Sequence, residues 1–306
     1  MDAIQKSLLA AVADLHEVPA GAYNIRANGK SVGRSSSANI EIKAKEDGSD
    51  GIDIIIRPGT KKESVHIPVL LSEAGLSEMV YNDFYIGEDA DVVIVAGCGI
   101  HNGGDKDSRH DGIHTFHIGK NARLRYVEKH YGQGDGNGKR LMNPTTVIDV
   151  EEGGYMEMET VQIKGVDSTE RLTRVTLAEK ATVIIKESLM THGEQYAKTD
   201  FTVDLNGEDS SANVISRSVA KDHSRQLFIS RINGNAKCNG HTECDAIIMD
   251  EASVSAVPEI TANSIDASLI HEAAIGKIAG EQLIKLMSLG LTEAEAEEQI
   301  VNGFLK

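Results

Sequence analysis

The chain offers three thiols, Cys98, Cys238 and Cys244. An odd, small number gives no disulfide framework, so each is either a buried filler or a working thiol. Cys238, His241 and Cys244 are spaced three apart, which suggests a zinc knot. Strand geometry works against it: residues 238 and 244 would share one face while 241 points to the other. The three converge only if Asn239-Gly240 forms a tight turn, and a structural zinc would still need a fourth ligand. His114 and His117 carry the same conflict. His101 follows Cys98 by three residues, and a protonated imidazole beside a thiol lowers its pKa and raises its thiolate fraction. His271-Glu272 puts a nitrogen and an oxygen donor side by side; read alone, the pair is an exposed helix start.

Other chemistries lack their residues. There is no glycine-rich phosphate loop ending in Lys-Ser/Thr, no GxGxxG after a strand and no nucleophile elbow, so no known motif hydrolyses ATP here. A net charge of -16 repels nucleic acid, whose binding requires neutralised phosphates. Anionic membrane surfaces are set aside with it. No apolar run approaches the roughly 20 residues of a bilayer span. Met1 to Leu15 is no secretory signal, because Asp2 stands where a basic region belongs. The expected compartment is the cytoplasm, where thiols stay reduced.

The elements that must position these residues are mostly strands. Aromatic residues make up only 4% of the chain and Trp is absent, so the core must be layered from Val, Ile, Leu and Ala. A β-like run, a turn, a small residue and a second β-like run recur around Ala90, Ala122, Gly154, Ala181, Ala212, Ala236 and Ala252. The runs alternate, as in Val92/Ile94 and Leu124/Tyr126, and are rich in β-branched residues. Each unit is too small to bury its own face, so stacked units must share a core. This predicts a β-solenoid, with a β-sandwich of hairpins as the alternative. The segment 1–20 reads as a short amphipathic helix, 21–264 as the β core, and 265–306 as a helical region. In the last, Thr292-Glu293-Ala294-Glu295 is a capping-box pattern and Gly290 a C-cap. Asn102 to Asp111 and Gly132 to Arg140 read as surface loops.

Several pieces then fall into a recognisable order. They are Cys244-Asp245, Val257-Pro258-Glu259-Ile260, His271-Glu272-Ala273, Gly280-Glu281-Gln282-Leu283, Gly290 to Ala296, and Ile300-Val301-Asn302-Gly303-Phe304. Earlier stand Tyr85 to Ala90, Ala96-Gly97-Cys98 and His110 to His114. Together these resemble the SufB/SufD family of iron–sulfur cluster assembly scaffolds over roughly residues 65 to 306. The resemblance implies a mainly β fold, a right-handed parallel β-helix with a short N-terminal helix and a C-terminal helical region. It implies a SufC-like ABC-type ATPase partner bound through the C-terminal helices, and a sulfur donor such as a cysteine desulfurase. Cys98 matches the sulfur acceptor of SufB-like chains; Cys244 and Glu272, with His271 beside it, match the residues that hold the nascent cluster. The sequence departs at Ile270, where such chains usually carry an acidic residue, and at Gly99-Ile100-His101.

The resemblance thus implies a scaffold rather than an enzyme, with ATP hydrolysed on the partner. A cluster takes about four ligands, mostly thiolates. One chain offers Cys244, Glu272 and His271, and pairing as a homodimer through the β-helix doubles that set. A SufD-like subunit that supports the ATPase without a cluster of its own is the second expectation, and a carbohydrate-active β-helix enzyme the third.

Overall fold

Inward and outward residues alternate along almost every strand, and that alternation is what the fold uses. The computed structural model describes residues 1–306. Strands account for 58% of the chain and helix for about 10%, and they form a β-solenoid of about eight turns. Two sheets, ten strands each, make its walls, and the chain alternates between them. Along Thr182–Thr191, for example, Val183, Ile185, Glu187, Leu189 and Thr191 face the interior. Through the body of the solenoid neighbouring strands of one sheet are parallel and in register, so residues 27 to 32 apart become lateral partners, as with Tyr155↔Thr182 and Asp91↔Arg123.

The corners explain the repeat and correct its phase. At one corner Ala90, Ala122, Gly154, Ala181, Ser210 and Ala267 each donate an amide hydrogen bond to the carbonyl three residues back. The preceding residues Asp89, Asn121, Gly153, Lys180 and Asp209 are left-handed, the conformation that Asp, Asn and Gly tolerate best. Ala252 belongs instead to the opposite corner, with Gln195 and Ser224. Ala212 lies two residues past its corner, inside the strand Ser210–Ala220.

The interior is a column of small aliphatic layers interrupted by a few rings. Phe84 and Phe116 stack with centroids 4.3 Å apart, and Tyr126 meets Phe116 edge-on. The N-terminal end is closed by antiparallel pairing, Lys30–Ser35 on Ala22–Ala27 and Ile40–Ala44 on Gly51–Ile56. Helix α1, Ala3–Ala13, carries a capping box and buries Leu8, Leu9, Val12 and Ala13 against the outer face of one sheet. It crosses Gly97, where an added Cβ would lie 2.7 Å from the Val12 carbonyl oxygen. Only glycine lets helix and strand backbones come this close. The loops after the strands Asp91–His101 and Arg123–Gln133 stack as part of the wall: Asn137 donates to Asp105 and the Lys139 amide to Asp107.

The C-terminal end differs from the sequence expectation. A strand, Ala267–Gly276, continues the solenoid beyond residue 264, and helix begins only at Gly280. Helix α2, Gly280–Met287, buries none of its residues. Helix α3, Glu293–Phe304, has the expected capping box at Thr292 and buries Ala296 and Val301. The last strands, Ser253–Ala262 and Ala267–Gly276, end their sheets with no strand beyond them. Ile260, Ile270 and Ile275 are exposed there.

Candidate functional site

Cys98 sits on the strand Asp91–His101, whose inward residues are Val92, Ile94, Ala96, Cys98 and Ile100. Its thiol lines a cavity of about 20 Å3 with His110, His114, Glu128, His130 and Met142, room for about one water molecule. His130 is its register partner on the next turn. Burial pushes the Cys98 thiol well up, and the carboxylates of Glu78 and Glu128 add to this. The expectation that His101 lowers this pKa is therefore corrected. Three residues along a strand, an imidazole faces away from the thiol.

Polar groups continue from this cavity along the solenoid axis. His110 Nδ1 is 2.9 Å from Glu78 Oε1, and Arg26 closes the far side of Glu78 at 3.3 Å. His114 Nδ1 meets the Tyr126 hydroxyl at 2.9 Å, and that hydroxyl donates to Glu128 at 3.0 Å. Arg171 Nη1 donates to Glu128 at 2.7 Å, and its Nε lies 4.0 Å from Glu187. Glu187 also accepts from Thr199 at 2.8 Å and Ser216 at 2.7 Å. All of these are buried except Glu78, which is half-buried. Glu128, Thr160, Glu187, Ser216 and Cys244 occupy one register column across successive turns. The buried hydroxyls of Thr146, Thr160 and Thr173 have no protein partner; groups of this kind are where internal water binds.

Sequence reasoning missed this seam. Its signal was present in Leu124, Tyr126, Glu128, His130: a charged residue at an inward position of an alternating strand.

Cys238 and Cys244 both face inward on the continuous strand Cys238–Ile248, and His241 faces outward. No zinc knot forms. Burial pushes the Cys244 thiol up to about 12, with Glu187 and Asp245 contributing. The next strand, Ala267–Gly276, pairs Thr242 with His271 and Glu243 with Glu272. Cys244 and His271 thus lie on the lumen side, while Glu272 lies on the outer face, its carboxylate 3.5 Å from His241 Nε2. His271 Nδ1 is buried with no hydrogen-bond partner, and burial followed by His241 lowers its pKa. The structure brings Cys244, His271 and Glu272 onto adjacent strands and divides them between two faces. Cys98 is remote from them. Its register column reaches the Cys244 strand after five steps, Cys98–His130–Gln162–Leu189–Ser218–Ala246, or roughly 24 Å at the usual strand spacing.

Residues 74–304 match the model of the SufBD core domain, described as SUF system FeS cluster assembly. This stretch holds both Cys98 and the Cys244 strand.

The chain belongs to the SufBD family.

An iron–sulfur cluster assembly SufBD family protein of Methanocaldococcus jannaschii is 32% identical over 264 residues, 85% of this chain and 82% of its own. A relative of the same description from Archaeoglobus fulgidus is 32% identical over 254 residues, 81% of this chain and 66% of its own. One from Pyrococcus horikoshii is 25% identical over 280 residues, 90% of this chain and 84% of its own. Within this SufBD chain, no helix is long and apolar enough to cross a membrane.

Proposed function

We propose that this SufBD chain is a scaffold that builds an iron–sulfur cluster at the seam between two copies of itself and passes it to apoproteins. The observation that carries this reading is the open C-terminal end. Both sheets stop at strands with one unpaired edge, a ready template for a second chain, and exposed isoleucines accompany them. Cys244, His271 and Glu272 all lie on the last two turns there. A thiol, an imidazole with an unpartnered buried nitrogen and a carboxylate are ligands for iron. Three donors per chain fall short of firm storage, and a twofold seam doubles them.

Sulfur delivered by a cysteine desulfurase would be taken up at Cys98 and reach Cys244 through the interior. The polar column of Glu128, Thr160, Glu187 and Ser216 supports such a route. Deprotonating a thiol as buried as Cys98 needs a base at hand, and three imidazoles line its cavity. Anaerobic reconstitution with ferrous iron and sulfide tests the assignment. The parent should develop the sulfide-to-iron absorbance, and Cys244→Ala and Glu272→Ala should each lose most of it. Equal loading in those variants would remove the site.

ATP turnover would come from a SufC-like ABC ATPase. Helix α2 supports this, since it buries nothing and leaves Ile284 and Met287 exposed. Ending the chain at Ala279 should abolish co-purification with such an ATPase while the strand circular dichroism is kept. Undiminished co-purification would rule out the helices as the docking element. One observation favours a second reading, a SufD-like subunit without a cluster of its own: both thiols are buried and held protonated. A parent that forms no cluster on reconstitution would decide for it.

A further inference from the structure

The outer face of the last two turns gathers Glu272 with side chains that the proposed cluster site does not use. On Cys238–Ile248 the outward residues are His241, Glu243 and Asp245, and on Ala267–Gly276 they include Ile270 and Glu272. Glu243 and Glu272 are register partners. Two carboxylates directly opposite on neighbouring strands repel each other, and a bound cation relieves that repulsion. His241 precedes Glu243 by two residues, so it shares the face and lies diagonal to Glu272. One ligand atom from each of His241, Glu243 and Glu272 falls within 4.8 Å of the others. Ligands around a first-row ion, at about 2.1 Å from it, stand roughly 3 Å apart, so small rotations of the exposed Glu272 and the half-buried Glu243 close the set.

The imidazole is already oriented. His241 Nδ1 is 2.9 Å from Asn213 Oδ1. The amide oxygen accepts, so the proton belongs on Nδ1 and the lone pair on Nε2, which points at Glu272. A histidine held this way through its other nitrogen is the usual outer-shell arrangement of a metal ligand. Asn213 comes from the adjoining strand, Ser210–Ala220, as the register partner of His241.

We propose that His241, Glu243 and Glu272 bind one divalent first-row transition metal on the outer face of the solenoid. One nitrogen and two carboxylate oxygens, with open positions for water, suit ferrous iron, manganese, cobalt or zinc. No thiolate joins them, because Cys244 follows Glu243 directly and faces the lumen. Metal and sulfur therefore approach the same strand from opposite sides, separated by one layer of backbone. That the ion is ferrous iron on its way to the cluster rests on the reading above. The site itself does not depend on it.

Cobalt(II) titration of the anaerobic full-length protein tests the site. The parent should bind one cobalt with ligand-field bands and no thiolate charge-transfer band. Cys244→Ser should bind it equally. His241→Ala and Glu243→Gln should each weaken binding by at least about tenfold, and Asn213→Ala by about tenfold, the usual effect of an outer-shell loss. Unchanged binding in His241→Ala would overturn the proposal. So would a thiolate band that disappears in Cys244→Ser, or no cobalt binding at all, which would leave only a His–Glu ion pair. Cluster loading is a separate measurement: cobalt can bind where reconstitution fails, and the reverse, so the two ideas fail independently.

Discussion

Replacing Arg171 by methionine is expected to destabilise the solenoid by about 3–5 kcal/mol, the usual cost of stranding a buried charge. Arg171 is 5% exposed and reaches two carboxylates, Glu128 at 2.7 Å and Glu187 at 4.0 Å. Both carboxylates are buried as well. Coulombic attraction to Arg171 is the main influence opposing burial at Glu128, whose carboxyl is held well below the usual range. Methionine fills much of the same volume, so the loss is electrostatic rather than a cavity. Glu187 retains its bonds from Thr199 and Ser216, but Glu128 keeps only the Tyr126 hydroxyl and nearby imidazoles. Urea unfolding at neutral pH measures the effect. The triple variant Arg171→Met, Glu128→Gln, Glu187→Gln should recover most of the lost stability, because no charge then remains to be solvated. A single-variant loss under about 1 kcal/mol would mean that water, not Arg171, compensates the two carboxylates.

The second large effect is a pH dependence carried by His114. Burial lowers its pKa from 6.5 to about 4; Glu128 opposes the shift, and His110, His130 and Arg171 reinforce it. Hydrogen bonding agrees. Asn82 Nδ2 is 3.3 Å from His114 Nε2, and the Ile52 amide, donating to Asn82 Oδ1, fixes the amide that way round. Nε2 must therefore accept, and Nδ1–H donates to Tyr126. A second proton would meet the Asn82 NH2 group head-on. Between pH 6.5 and about 4 the unfolded chain takes up this proton and the folded chain does not. Stability is therefore present above 6.5, falls as pH drops through that window, and is flat below it. The total is about 3 kcal/mol, at about 1.4 kcal/mol per pH unit. A His114→Gln variant should show a correspondingly shallower decline in unfolding free energy over that range. Parallel declines in parent and variant would show that His114 is not the group responsible.

Both expectations concern an interior that mixes aliphatic layers with charges, and the mixture was only half visible in advance. Glu128 and Glu187 fall at inward positions of strands whose alternation is plain in the sequence, so their burial could be inferred. Their meeting on Arg171 could not, because Arg171 lies on the opposite sheet, 43 residues from Glu128. The corners show the same division. Asp, Asn or Gly holds the left-handed position at most bends, with Lys180 an exception, but the two corners of each turn use similar residues. Asp89 is third in its corner and Asp250 second, a difference of backbone geometry that composition does not carry. Hence Ala252 joined the wrong series.

The sequence by itself determined the class of fold, the alternation that turns Cys244 inward and His241 outward, the capping box of α3, and the resemblance that pointed to the SufBD family. These are local properties, set by propensity, period and turn chemistry within a few residues. Tertiary structure alone decided which residues 27 to 32 apart became neighbours, because register depends on how many residues each corner and loop consumes. That register placed Glu272 beside Glu243 rather than beside Cys244. It lined up Glu128, Glu187, Ser216 and Cys244 along one axis, and it left the last two strands with unpaired edges.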